Sequence, residues 1–245
     1  MRELVILWIL STMNGLAPAH RVHFEREAME SYVQADARYR KVAEDAVDEA
    51  MVVRPLFGGR HGRIGTAMMT VTLWFMESGF RRDIDLGTSR VRLRHTGLND
   101  FGRSWCMGQI NLGSKRVLDP DHPGMWLDTS NTLTPQGWSG PELVADRRKC
   151  AHVTIETLRQ SMLACRSLPM NQRLAAYAVG RCDSEEGKRL SEVRMRLFFR
   201  VNGKGRPDVT DNDILEEMKR DAQHPEQPDA TTLGAGEVAA AEGLP

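Results

Sequence analysis

Residues 62–78 constrain this chain more than any other stretch. Ile64, Ala67, Met68, Val71, Leu73, Trp74 and Phe75 would cover most sides of a helix there. A helix that is apolar nearly all round has to be enclosed by other elements. The spacing therefore predicts a buried central helix over 62–78, with Gly79 supplying the left-handed residue that ends it. One residue does not fit a purely structural helix: Glu77 stands in the last turn, directly after Trp74-Phe75-Met76.

The flanking segments supply partners for that helix. Met29, Tyr32, Val33, Tyr39, Val42, Ala43, Ala46, Val47 and Ala50 recur at three- and four-residue spacing, which predicts an amphipathic helix over 24–51. Pro55-Leu56-Phe57-Gly58-Gly59 breaks it. Residues 81–112 are polar and turn at Gly87, Gly97 and Gly102, and Val91-Arg92-Leu93-Arg94 alternates like a short strand. This segment reads as a small β-hairpin or irregular flap, and 113–138 as a loop. Ser139-Gly140-Pro141-Glu142 is a helix start, with a capping pair and a proline in the first turn. That helix is expected to run to about Cys165. Further helices are expected over 171–179 and 184–200, the latter with Val193, Leu197 and Phe198 inward.

Beyond Gly203 the apolar periodicity stops. One isolated helix is expected over 211–221, and the Pro-, Ala-, Gly- and Glu-rich stretch after Gln223 reads as disordered. The expected organisation is an N-terminal apolar segment (1–23), one mainly α-helical domain (24–202) and an acidic flexible tail (203–245). The N-terminal segment has two readings. Leu4–Leu10 followed by Ala17-Pro18-Ala19 has the form of a signal peptide with its cleavage site. The same residues would also serve as an apolar strand or helical turn packed on the domain. No run reaches the roughly 18 apolar residues that span a bilayer.

With 245 residues and 41% of them hydrophobic, the chain can bury one sizeable core. Its net charge is zero but uneven. Residues 203–245 hold four basic and ten acidic residues, which leaves the body at +6. A basic body suits an anionic polymer. The basic residues are scattered, with no run resembling a nucleic-acid arm, so nucleic acid is not the expected partner. Cys106, Cys150, Cys165 and Cys182 form no C-x-x-C pair and have no histidine at zinc spacing. They read as two disulfides in an exported chain or as four buried thiols in a cytoplasmic one. If oxidised, the expected pairs are Cys106–Cys150, tying flap to long helix, and Cys165–Cys182, closing the two later helices. His61, His95, His122 and His152 are scattered, and neither a nucleophile elbow nor a phosphate loop is present. No metal or cofactor is expected.

Three short pieces carry chemistry. Glu77 is a carboxyl on an apolar helix, where desolvation and the negative end of the helix dipole both disfavour its anion. That is the condition for a general acid. Gly102-Arg103-Ser104-Trp105-Cys106-Met107-Gly108-Gln109-Ile110-Asn111 places hydroxyl and amide groups beside an aromatic face, a mixture that suits sugars. Ala175-Ala176-Tyr177-Ala178-Val179-Gly180 lies far downstream.

In order and spacing, these three pieces resemble the lytic transglycosylases of the lysozyme superfamily, whose motifs read E-S, G-L-M-Q-I and A-Y-N-x-G. The resemblance covers roughly 60–200. It implies a lysozyme-like fold, mainly α with a small β-hairpin flap over a cleft, that cleaves the glycan strands of peptidoglycan. It implies Glu77 as the catalytic acid with Ser78 following it, and Gln109 and Ile110 as the Q-I of the second motif. Tyr177 would be the tyrosine that reaches toward the glutamate. Ser104, Asn111 and Asp100 join these as substrate-binding candidates. The chain departs from the pattern at Cys106-Met107-Gly108 and at Ala178. A periplasmic, extracellular or phage-associated setting would follow.

Two alternatives stay open. A hydrolysing muramidase would need a second carboxylate, about 5 Å from the acid for retention or about 6.5–9.5 Å for inversion. Asp83, Asp85 and Asp100 are the candidates, with Asp100 favoured. A non-catalytic cell-wall or assembly protein on the same fold would keep Glu77 walled off from any groove.

Overall fold

The computed structural model describes residues 1–18, 30–86, 104–112, 115–118, 126–129 and 133–223. Most of these are helical. In chain order they form α1 (Arg2–Leu16), α2 (Tyr32–Val52), α3 (Gly62–Ser78) and the single turn α4 (Arg82–Asp85). A hairpin of β1 (Ser104–Trp105) and β2 (Ile110–Asn111) follows, then a second pair, β3 (Lys115–Leu118) and β4 (Trp126–Thr129). The chain continues with α5 (Gly140–Ala145), α6 (Arg147–Ala164), α7 (Ala175–Val179), α8 (Glu185–Asn202) and α9 (Asp211–Gln223). Both strand pairs are antiparallel; Ser104 faces Asn111 in the first and Lys115 faces Thr129 in the second.

Helix α3 occupies the centre. It meets α1, α2, α6, α8 and α9, and Ile64, Ala67, Met68, Val71, Leu73 and Trp74 are sealed from solvent. Thr66, Thr70 and Thr72 are sealed too. Their hydroxyls donate to the carbonyls of Gly62, Thr66 and Met68, four residues back, so no polar group is stranded. The helix ends at Gly79, whose φ of 60° is the left-handed conformation that glycine adopts without strain.

The domain extends further at both ends than the sequence suggests. Helix α1 is part of the core rather than an appendage: Val5, Ile6, Ile9 and Met13 are fully buried. Arg2 pairs with Asp48, Trp8 Nε1 donates to the Lys204 carbonyl, and the Tyr39 hydroxyl donates to the Ala17 carbonyl. At the other end, the expected boundary at 203 is too early. Val209 and Ile214 are buried, and the Asp211 carboxylate accepts from the backbone N–H of Arg63 (2.8 Å) and Ile64 (3.0 Å). It thereby caps the first turn of α3 from 147 residues away in sequence. Helix α9 has few apolar residues, so periodicity alone cannot show that it docks.

Three smaller corrections have local causes. The helix expected over 139–165 is two, because Asp146 turns its carboxylate back to accept from the N–H of Arg148 and starts α6 afresh. In α8 the buried face is Ser191, Arg194, Met195, Phe198 and Val201, while Val193 points outward. In α2, Tyr32 and Val33 are exposed, and burial begins at Ala35. The candidate strand at Val91–Arg94 lies outside the described residues, as do Met29, Asp100, His95 and His122.

Candidate active site

A groove of about 650 Å³ opens beside the C-terminal end of α3. Its walls carry Glu77 from α3, Ser104, Gln109, Ile110 and Asn111 from the β1–β2 hairpin, and Tyr177 from α7. Residues from all three sequence pieces therefore meet in one cavity. Arg194 and Thr157 complete the polar lining, and Ala178 of α7 and Gly180 just after it also line the groove.

The hairpin is held by covalent and steric constraints. Cys106 is disulfide-bonded to Cys150 on α6, with Cα atoms 6.2 Å apart, and Cys165 is bonded to Cys182. Cys106 (φ 55°) and Gln109 (φ 47°) both take the left-handed conformation, unfavourable for residues with a Cβ. The turn keeps this shape because its ends are tied. The Gln109 N–H and Nε2 both donate to the Cys106 carbonyl at 3.0 Å. A Cβ on Gly108 would lie 2.4 Å from Thr154 Oγ1 and 3.2 Å from Trp74 Nε1, so this position admits only glycine. Gly108, one of the positions where the chain departs from the motif it resembles, thus lets the hairpin backbone close onto α3 and α6.

Tyr177 ties the third wall to the second, since its hydroxyl donates to the Gly108 carbonyl at 2.9 Å. Burial, together with the Glu77 charge, raises the pKa of this phenol. The resemblance implied that the tyrosine reaches toward the glutamate; here its hydroxyl is committed to the hairpin instead.

Glu77 has a different partner, which sequence reasoning missed. Arg194 donates from Nε (3.2 Å) and Nη2 (2.5 Å), both to Oε1 of Glu77. The same guanidinium lies over the Tyr177 ring, 5.8 Å from its centre. Glu77 is therefore not an isolated carboxyl in apolar surroundings, as its neighbours in sequence suggest. The signal was an arginine at an inward position of α8, three residues from Ser191 and one before Met195.

Several other candidates do not reach the groove. Ser78 is buried, with its hydroxyl donating to the Trp74 carbonyl (2.6 Å) and accepting from the Phe80 N–H, so it finishes the helix rather than binding substrate. Trp105 packs against Gly140, whose Cβ would fall 2.0 Å from its ring; the aromatic wall of the groove is Tyr177 instead. Asp83 and Asp85 are buried in ion pairs. Asp83 is held by Arg81 at 2.8 Å, and Asp85 by Arg147 at 2.7 Å with Arg38 at 3.7 Å. A carboxylate sealed against arginines cannot hold an attacking water, so neither is placed to act as the nucleophile or base that a hydrolase would need. Asp100 lies outside the described residues. Among the described residues, Glu77 is the one carboxylate lining the groove. Also among them, no His, Cys, Asp or Glu cluster could hold a metal, and no helix is long and apolar enough to cross a membrane.

Compared with family models, with curated proteins and with solved structures, the chain matches none.

Proposed function

We propose that this protein is a lysozyme-like lytic transglycosylase that cleaves the β-1,4 glycosidic bonds of peptidoglycan glycan strands. The observation that carries the reading is the convergence of Glu77, Gln109 and Tyr177 on one open groove. Had Glu77 been walled off, a non-catalytic role would fit better. The groove wall also suits a sugar chain, with a hydroxyl at Ser104, amides at Gln109 and Asn111, and an apolar surface at Ile110 and Tyr177. The basic body, at +6 over residues 1–202, suits an anionic wall polymer.

In this reaction Glu77 first protonates the departing glycosidic oxygen. The resulting carboxylate then takes the proton from the muramic-acid 6-hydroxyl. That oxygen attacks the anomeric carbon and closes a 1,6-anhydro ring. The nucleophile belongs to the substrate, whose N-acetyl group stabilises the intermediate, so one protein carboxylate suffices. The burial of Asp83 and Asp85 against arginines supports this reading over a hydrolase that would use either of them as its second carboxylate.

The testing variant is Glu77→Gln, nearly isosteric but unable to donate the proton. Release of soluble fragments from purified peptidoglycan should fall by about 10²–10⁴-fold, with the melting temperature little changed. Digestion at the wild-type rate would show that the site is misassigned.

A further inference from the structure

We propose that Arg194 is the positioning residue of Glu77: it holds Oε1 and leaves Oε2 to carry the proton to the scissile oxygen. The proposal rests on the transglycosylase reading above. Three observations carry it.

The first is the geometry of the pair. An arginine meeting a carboxylate commonly uses two nitrogens on two oxygens. Here Nε and Nη2 both donate to Oε1. Oε2 accepts no hydrogen bond from the described residues. The two carboxylate oxygens are thus unequal, one gripped and one left for chemistry. A general acid needs its proton on the oxygen nearest the leaving group, and a carboxyl turning freely about its terminal bond would present the wrong oxygen much of the time.

The second is the state of the guanidinium. Its side chain is 10% exposed, and Nη1 is buried with no partner among the described residues. A stranded donor on a charged group is costly. Within this guanidinium, Nε and Nη2 reach Glu77 while Nη1 reaches no described residue, so the side chain's described hydrogen bonds all go to that one carboxylate.

The third is location. The other buried residues of α8 are Gly187, Ser191, Met195, Phe198 and Val201, so Arg194 is the one charged group among them. A buried ion pair is a poor stabilising device beside an apolar pair of similar volume. Since an apolar pair would stabilise the fold at least as well, the pair is better explained by what the arginine does for Glu77 than by stability. The Tyr177 ring beneath the guanidinium and the Tyr177–Gly108 bond keep the arginine from swinging away.

The test uses the full chain with Arg194→Ala and Arg194→Lys, assayed on purified peptidoglycan and by thermal unfolding. A small displacement of a catalytic group costs on the order of 10²-fold. The alanine variant is therefore expected to lose about 10²-fold, chiefly in kcat. Added guanidinium chloride, well below denaturing concentrations, should restore part of that rate by filling the vacated space. Lysine should retain more activity than alanine. Combining Arg194→Ala with Glu77→Gln should cost no more than Glu77→Gln alone, because the arginine acts through the glutamate. Activity within twofold of wild type overturns the proposal. So does a loss that guanidinium fails to rescue and that follows a matching fall in melting temperature, since that is the mark of a structural role. A crystal structure of Arg194→Ala decides the matter even if the wild type cleaves no glycan. Glu77 is expected to turn or occupy several rotamers, and a carboxyl left in place overturns positioning. Inactivity of the wild type would instead remove the transglycosylase reading itself.

Discussion

Tyr177 joins two walls of the groove through one hydroxyl, and its titration gives that role a measurable signature. Burial and the nearby Glu77 charge hold the phenol neutral beyond its ordinary range. Above about pH 10 the unfolded chain releases this proton while the folded chain keeps it. The folded state then binds more protons than the unfolded state, so stability falls as pH rises through that range. Tyr177→Phe removes this effect but also removes the bond to the Gly108 carbonyl, which costs about 1–3 kcal/mol near neutrality. Denaturant titrations at pH 7 and pH 10.5 should show the variant less stable at the lower pH and the gap narrowing at the higher. A constant gap would mean that the phenol is not shielded. At this scale the sequence was informative for groups that stand in short motifs. Glu77, Ser104, Gln109, Ile110, Asn111 and Tyr177 all reach the groove. It misled at Ser78 and Trp105, because adjacency in a motif does not say which way a side chain turns. It was silent on Arg194, since an arginine within an inward helical stripe looks like any other break in periodicity until its partner is in place.

Helix α1 has the composition of a removable leader and the contacts of a core element. Val5, Ile6, Ile9 and Met13 are each fully buried, at about 1.5–3 kcal/mol apiece for a large apolar side chain. Their sum is on the order of the whole stability of an ordinary domain, about 5–15 kcal/mol. Deletion of residues 1–19 is therefore expected to give a chain that aggregates or lacks a cooperative melt in circular dichroism. A cooperative melt within a few degrees of the full chain would restore the leader reading. The elements were legible where the pattern was long. Helix α3 runs over Gly62–Ser78 as its apolar residues imply, and Ser139 and Glu142 make the reciprocal bond that opens α5. The break at Asp146 was not, because an aspartate in a helical run reads as a solvent-facing residue unless its carboxylate is known to turn back.

At the scale of the molecule, the core closes when α1 and α9, far apart in sequence, both pack onto α3. The Arg2 backbone N–H donates to Glu217 on α9 at 3.0 Å, and Asp211 caps α3, whose other end carries Glu77. Truncation after Gln223 should leave melting temperature and activity nearly unchanged, since residues 224–245 have no apolar periodicity. Truncation after Gly203 should lower both, because it strips the cap from α3 and uncovers Val209 and Ile214 sites in the core. Equal behaviour of the two truncations would show that α9 contributes nothing. The proposed function has the groove at the end of α3 breaking glycan strands with one glutamate and no protein nucleophile. Mass spectrometry of purified peptidoglycan after digestion decides this. The wild type is predicted to release fragments ending in 1,6-anhydromuramic acid, and Glu77→Gln to release none. Reducing ends would mean that water attacks and the enzyme is a hydrolysing muramidase; an unchanged polymer would contradict the account altogether.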